Sequence, residues 1–323
     1  MTTTRWGILS TARINRLVLE GAREAAGVEV TAVASRDLDR AQTYAREHGI
    51  PRAHGSYDSL LADDHVDAVY ISLPNSLHHP WTLRALSAGK HVVCEKPYSR
   101  RSADVVEAYD VAERVGLVVS EAFMWRHSPQ THRLLELLPE IGELQAVRAT
   151  FAFPLSDAAN VRMLPELDGG ALMDVGCYCV NAARLLAGEP ERVYGEQIDG
   201  VTGVDVRFTG VLRFASGVVA EFVSGFTFTH QQLEVIGTRG TLSAADPWHA
   251  RRPVLELNGA QIRVEQANSY RLQLENVSAA IRGEAPLLLG RADVLGQART
   301  IEALYASAGR GAPAAVEAAA AAT

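Results

Sequence analysis

From residue 5 to about residue 120 the chain alternates short apolar strands with helices of about 10–15 residues, and that alternation sets the fold class before any motif is read. Residues 5–9 read as a strand, 10–15 as a small polar turn and 16–25 as a helix. Residues 28–34 (Val-Glu-Val-Thr-Ala-Val-Ala) alternate and then become fully apolar, the pattern of a strand buried on both faces. A charged helix over 37–48 stops at Gly49 and Pro51. Strand 66–73 closes at Pro74-Asn75, helix 78–88 ends at Gly89, strand 91–94 follows, helix 101–115 ends at Gly116, and strand 117–120 completes the half. Such an order makes a doubly wound parallel sheet of Rossmann type, with helices on both faces.

Past residue 123 the pattern changes. Helices are expected at 128–138 and 171–187, and strand-like stretches at 145–154, 192–199, 203–214, 217–228, 231–237 and 240–244. The last five of these have no helix between them, and Ser216-Gly217 is a hairpin-turn signal. This part reads as an α+β domain with a large, mostly antiparallel open sheet. Two further helices are expected at 270–282 and 293–308, then an Ala-rich tail from Ala312 whose close, 317–323, is expected to fray. The division predicted is a dinucleotide-binding domain over 1–122 and a substrate-binding and oligomerisation domain over 123–323.

Composition narrows the class of protein. At 323 residues the chain is long enough for two domains. Its apolar runs are strand-length, so no membrane span is expected. The opening Met1-Thr2-Thr3-Thr4-Arg5 lacks the apolar core of a signal peptide. Cys94, Cys177 and Cys179 are an odd set without CxxC spacing, which argues against a disulfide framework or zinc site and for a cytoplasmic location. A net charge of −7 gives no general attraction for nucleic acid.

The candidate chemistry lies at the strand ends. Lys96 closes His91-Val-Val-Cys-Glu-Lys-Pro97, at the carboxyl end of a parallel strand, where such folds bind ligands. A cation there stabilises an alkoxide or polarises a carbonyl; the bland alternative is a surface lysine. Ser10-Thr11-Ala12-Arg13-Ile14-Asn15 stands where a dinucleotide fold has G-x-G-x-x-G. All three glycines are absent, but Ser10 and Ala12 are small enough for backbone amides to approach a pyrophosphate. At the end of the second strand, Ser35 and Arg36 occupy the place of the carboxylate that accepts from an NAD ribose, and Arg40 lies one helical turn on. A guanidinium there suits a 2′-phosphate, so NADP is favoured, with NAD possible. Asn75 and His78 follow the third long strand; their alternatives are a helix cap and a satisfied histidine. In Gly169-Gly-Ala-Leu-Met-Asp174-Val-Gly-Cys-Tyr178, the acid and phenol are i and i+4, stacked on one face if the segment is α-helical. Their alternatives are a first-turn acid and a core aromatic.

Four segments in order, Gly7-Ile-Leu-Ser-Thr-Ala-Arg-Ile14, Gly89-Lys-His-Val-Val-Cys-Glu-Lys-Pro97, Glu121-Ala-Phe-Met-Trp-Arg126 and Gly169–Tyr178, resemble the Gfo/Idh/MocA oxidoreductases. The likeness runs on to Glu234-Val-Ile-Gly-Thr-Arg-Gly-Thr-Leu242. Tyr rather than His at 178 resembles the branch of NADP-linked xylose dehydrogenases, dihydrodiol dehydrogenases and deoxysugar 3-ketoreductases. The resemblance implies that Lys96 binds the substrate oxygen, Tyr178 is the general acid/base and Asp174 orients or tunes Lys96, with no metal required. It implies a cofactor site from Ser10, Thr11, Ala12, Arg13, Ile14, Ser35, Arg36, Arg40, Leu73, Pro74, Asn75, His78, Glu95 and Lys96. Trp125, Arg126, Phe153 and Arg162 would line a pocket for a sugar or cyclic polyol together with Tyr178. It further implies a cis Lys96–Pro97 bond and a homodimer or homotetramer paired through the C-terminal sheet. Aldose oxidation to a lactone and keto-sugar reduction use the same residues; a trans-dihydrodiol dehydrogenase or a non-catalytic NADP-binding regulator are the alternatives.

Overall fold

A computed structural model describes residues 3–317. The first half follows the alternation: β1 (Thr4–Leu9), α1 (Asn15–Glu24), β2 (Val28–Ala34), α2 (Leu38–His48), β3 (Arg52–His54), α3 (Tyr57–Leu61), β4 (Ala68–Ile71), α4 (His78–Ser87), β5 (His91–Cys94), α5 (Ser102–Val115) and β6 (Val119–Glu121). The six strands order as β3-β2-β1-β4-β5-β6, every pair parallel. Ile8, Leu9, Val33, Val69, Ile71, Val92 and Val93 are fully buried, as strands covered on both faces require. The strand order reverses between β1 and β4, the switch point at which such sheets bind ligands. Asp37 caps α2, accepting from the Arg40 amide at 2.8 Å, and Gly49 ends that helix at φ +70°.

The rest comprises α6 (Pro129–Leu137), β7 (Leu144–Ala152), α7 (Cys177–Ala187), β8 (Pro190–Asp199), β9 (Asp205–Phe214), β10 (Val219–Gly225), β11 (His230–Gly237), β12 (Gly240–Ala244), β13 (Val254–Leu257), β14 (Ala260–Arg263), α8 (Ser269–Ile281), α9 (Arg291–Arg310) and β15 (Ala314–Ala315). Nine strands form one sheet in the order β14-β13-β12-β11-β7-β10-β9-β8-β15. Only β7 and β10 pair in parallel. Along β9, Phe208, Leu212 and Phe214 turn inward while Val211 faces out, the alternation of a sheet with one covered face. Within the Ala-rich tail, ahead of the close expected to fray, Ala314 pairs with Val193 on β8. Residues 318–323 lie outside the described part.

The chain groups into two compact units, and their bounds depart from a single cut at 122/123. The first holds the chain up to Ser99, Ala103–His127 and Asn268–Val294; the second holds Arg100–Ser102, Ser128–Ala267 and the chain from Leu295 on. Residues 268–294 return to the first unit because α8 packs on α1: a Cβ at Gly21 would fall within 3 Å of the Tyr270 and Arg271 backbone. The Trp6 indole also donates to Ser278 Oγ at 3.2 Å. No described helix is long and apolar enough to cross a membrane.

Candidate active site

In the first unit the candidate residues follow the carboxyl ends of β1, β2, β4 and β5. Ser10 adopts φ +128°, a conformation that favours glycine, and so replaces the first glycine of the usual turn in shape. Its hydroxyl donates to the Ser72 carbonyl at 3.0 Å and accepts from the Ala12 amide at 3.1 Å. Asn15, wholly buried, donates from its side-chain amide to the Ser10 carbonyl at 2.9 Å. The turn is therefore closed by side-chain hydrogen bonds where glycines would have allowed bare close approach. No side chain caps α1; the amides of Asn15, Arg16, Leu17 and Val18 donate to the carbonyls of Ala12, Arg13 and Ile14, so the approach for an anion is the turn ahead of the helix, from Thr11 to Ile14.

At the end of β2, Ser35 is buried while Arg36 and Arg40 are exposed. Arg40 Nε donates to Thr11 Oγ1 at 2.8 Å, tying α2 to the first turn. Asp37, next to Arg36 in the chain, is occupied as the α2 cap. Tyr57 belongs with this group and was not legible as such. Burial raises its pKa, while the charges of Arg36 and Arg40 lower it. Its ring meets Trp81 edge-on at 4.9 Å, and Arg84 stacks on Trp81 at 4.6 Å. These residues fit an adenine nucleotide carrying a 2′-phosphate: an uncapped helix start, two guanidinium groups and an aromatic wall.

After β4, Leu73 is buried and Pro74 and Asn75 are half-buried. His78 is fully buried, and its ring spans two carbonyl oxygens, Nδ1 to Pro97 O at 2.9 Å and Nε2 to Leu73 O at 2.8 Å. It ties two strand-end loops together, and its nitrogens face backbone where cofactor contact was expected. Burial pulls its pKa down to about 4, against the two carbonyls, which favour the cation. Lys96 is half-buried after β5, and the Lys96–Pro97 bond is cis. Glu95 accepts from the Tyr70 hydroxyl at 2.6 Å, and Glu121 accepts from the Tyr98 amide at 2.7 Å.

Trp125 and Arg126 fall in the first unit, not in the second domain where they were expected. Both are buried in a 3₁₀ turn over Met124–His127, and Arg126 pairs with Asp293 at 2.9 Å.

In the second unit, Leu172–Gly176 is a π turn that runs into α7. Asp174 lies within this turn, and Tyr178 just past it, in the first turn of α7. A Cβ at Gly176 would meet Ser224 Oγ at 2.7 Å, so the turn lies close against β10. Asp174 accepts from Arg162 Nε at 2.8 Å. Tyr178, 6% exposed, contacts the Phe151 ring at 5.3 Å and Trp248 at 5.8 Å, neither of which was singled out from the sequence. Phe153 packs instead on Phe226, at 5.5 Å.

Residues 4–123 match the model of an oxidoreductase family with an NAD-binding Rossmann fold, and 139–243 match the GFO/IDH/MocA C-terminal domain. A D-xylose 1-dehydrogenase (NADP(+)) of Haloferax volcanii is 42% identical over 95% of this chain and 98% of its own. A trans-1,2-dihydrobenzene-1,2-diol dehydrogenase of Xenopus laevis is 34% identical over 74% of each chain. The crystal structure of a 3-ketoreductase from Actinomadura kijaniata, in complex with NADP and TDP-benzene, superimposes with a TM-score of 0.89 at 30% identity, covering 95% of this chain and 98% of that one. Two family domains in order, joined to a relative this similar along nearly its whole length, make this chain a member of the Gfo/Idh/MocA oxidoreductase family.

Proposed function

We propose that the protein is an NADP(H)-dependent oxidoreductase that moves hydride to or from a carbon of a sugar, by aldose oxidation to a lactone or keto-sugar reduction. The observation that supports this best is at one edge of the first sheet. The carboxyl ends of β1, β2 and β5 carry, in turn, the start of α1 with no side-chain cap, Arg36 and Arg40 about the α2-capping Asp37, and Lys96. Bound cofactor supplies the hydride chemistry. The chain supplies charge and proton transfer: the Lys96 ammonium holds the substrate oxygen, and the Tyr178 hydroxyl exchanges the proton with it. Asp174 completes the catalytic set. Arg36 and Arg40 hold the 2′-phosphate. The relatives named for xylose and for a ketoreductase support a sugar; the dihydrodiol dehydrogenase supports a cyclic diol as second reading. Exposed Tyr194, Ile198, Val211 and Val219 on the open face of the second sheet support assembly of copies through that face.

The test is a nicotinamide absorbance screen with both cofactors against aldoses, keto-sugars and cyclic diols. Turnover with NADP(H) and a sugar is expected, and Lys96→Met should lower kcat by roughly 100-fold or more. Cofactor binding without turnover on any panel member sinks the proposal, and a Lys96→Met enzyme within about threefold of the parent removes Lys96 from the mechanism.

A further inference from the structure

We propose that Asp205 is a positioning residue for the reaction, holding in place the π turn that presents Asp174 and Tyr178. The inference rests on the roles proposed above for that pair. Asp205 opens β9, is 3% exposed, and has no part in any role assigned so far. Its Oδ2 accepts from the amide of Leu172, the first residue of the π turn, at 2.7 Å. Its Oδ1 accepts from the Tyr305 hydroxyl, on α9, at 2.9 Å. Both oxygens of one buried carboxylate are thus divided between the turn and the helix.

Two further features converge on the same atoms. Gly170 stands at φ +122°, and a Cβ there would collide with Asp205 Oδ1, so the chain entering the turn is shaped around this carboxylate. The Arg100 guanidinium covers the Tyr305 ring at 4.1 Å and lies 3.8 Å from Asp168, two residues before Gly170. Arg100 is four residues past Lys96 in the chain and belongs to the second unit. Its charge, with the Leu172 amide and the Tyr305 hydroxyl, opposes the burial that otherwise disfavours ionisation of Asp205.

A π turn is a rare, single-turn departure from the α-helical ladder, so a contact from outside can decide whether it is kept. Asp205 touches neither substrate nor cofactor in this reading; it acts through the backbone. The effect of its loss should therefore fall on kcat and leave the NADP KM in place.

The experiment compares Asp205→Ala, Asp205→Asn and Tyr305→Phe by steady-state kinetics and by amide hydrogen exchange. Asp205→Ala should lose about tenfold or more in kcat with the NADP KM within about twofold. Exchange over residues 172–178 should rise more than over the sheet. Asp205→Asn keeps an acceptor for Leu172 and should restore most of the lost turnover. Tyr305→Phe removes one donor and should fall between them, which tests the network in a variant with little change of shape. A kcat within twofold in Asp205→Ala, a rise in exchange spread evenly over the second unit, or an Asp205→Asn enzyme as impaired as the alanine variant overturns the proposal. Should the parent enzyme turn over no panel substrate, the functional reading fails by itself, and local exchange at 172–178 still decides whether Asp205 holds the turn.

Discussion

Two buried aspartates are held in opposite senses, and their signs can be separated by pH. Around Asp63, burial is the largest single effect and opposes the charge. Arg52 at 2.5 Å, the His65 amide and His54 together outweigh it, and the pKa falls to about 2. Its contribution to stability is present above an ordinary aspartate pKa and is lost as pH drops towards 2. Asp205 is the reverse: burial pushes its pKa up to about 6 despite its two donors. The folded state binds this proton more tightly than the unfolded one, so the contribution is full below pH 4 and disappears as pH rises through 6. A rise from 3.8 to about 6 corresponds to about 3 kcal/mol at 1.36 kcal/mol per unit. Denaturant unfolding of parent and Asp205→Asn from pH 4 to 7 should show the parent losing up to about 3 kcal/mol relative to the variant. A constant difference across that range would mean that Asp205 does not titrate in the folded protein. Lys96 was legible because its signal is local: an apolar strand, a charge and a proline in seven residues. Asp205, Tyr57 and Trp248 carry no such signal, since their partners Leu172, Trp81 and Tyr178 lie far away in sequence.

At the scale of elements, misreadings arose where a short segment departs from regular geometry. Residues 171–187 have helical periodicity, and nothing in that period distinguishes a π turn at its start from α-helix. β13 and β14 were missed although Asn258-Gly259 between them is a strong hairpin signal; both residues have positive φ, +51° and +84°. The edge strand β3 is three residues long, too short for any period to show. The glycine-free first turn was legible by position alone, while the hydrogen bonds from Ser10 and Asn15 that replace the glycines needed the fold. The turn before Asp174 gives a prediction at this scale. Gly170 and Gly188 both have positive φ, +122° and +85°, but a Cβ at Gly188 meets nothing within 4 Å. Gly188→Ala should cost only backbone strain, on the order of 1–3 kcal/mol. Gly170→Ala adds a collision with Asp205 and should cost clearly more, with loss of kcat as well. Thermal unfolding and kcat measured on both variants check this; equal losses would show that the Asp205 contact yields freely.

For the molecule as a whole, the path of the chain matters more than the cut between its two folds. Strand and helix alternation places the end of the nucleotide-binding fold near residue 122; the last strand of its sheet, β6, ends at Glu121, and that reading leaves out what covers the sheet. The helix α8, from 269 to 281, supplies that cover: Asn276 and Ala26 anchor it, through the Asn276 amide to Pro286 O at 3.0 Å and the Ala26 amide to Glu275 Oε1 at 3.0 Å. Leu274 and Val277 on this helix are buried to 1% or less, and Arg291, near the close of the same segment, bridges Asp110 and Glu113 on α5. A periodic reading cannot assign a late helix to an early sheet, because amphipathicity states that one face is buried and not against what. The consequence is testable by dissection. A fragment ending at residue 127 retains all six parallel strands and every strand-end residue proposed to hold NADP. It also exposes the α1 face around Gly21, and leaves Trp6 without its Ser278 partner. It should therefore unfold at markedly lower temperature than the first transition of the whole chain, or fail to fold, and bind NADP weakly. Joining residues 268–294 to that fragment through a flexible linker should restore a cooperative circular-dichroism melt. A 1–127 fragment that melts cooperatively and as high as the joined form would show that α8 is dispensable, and that the first fold ends where the alternation ends.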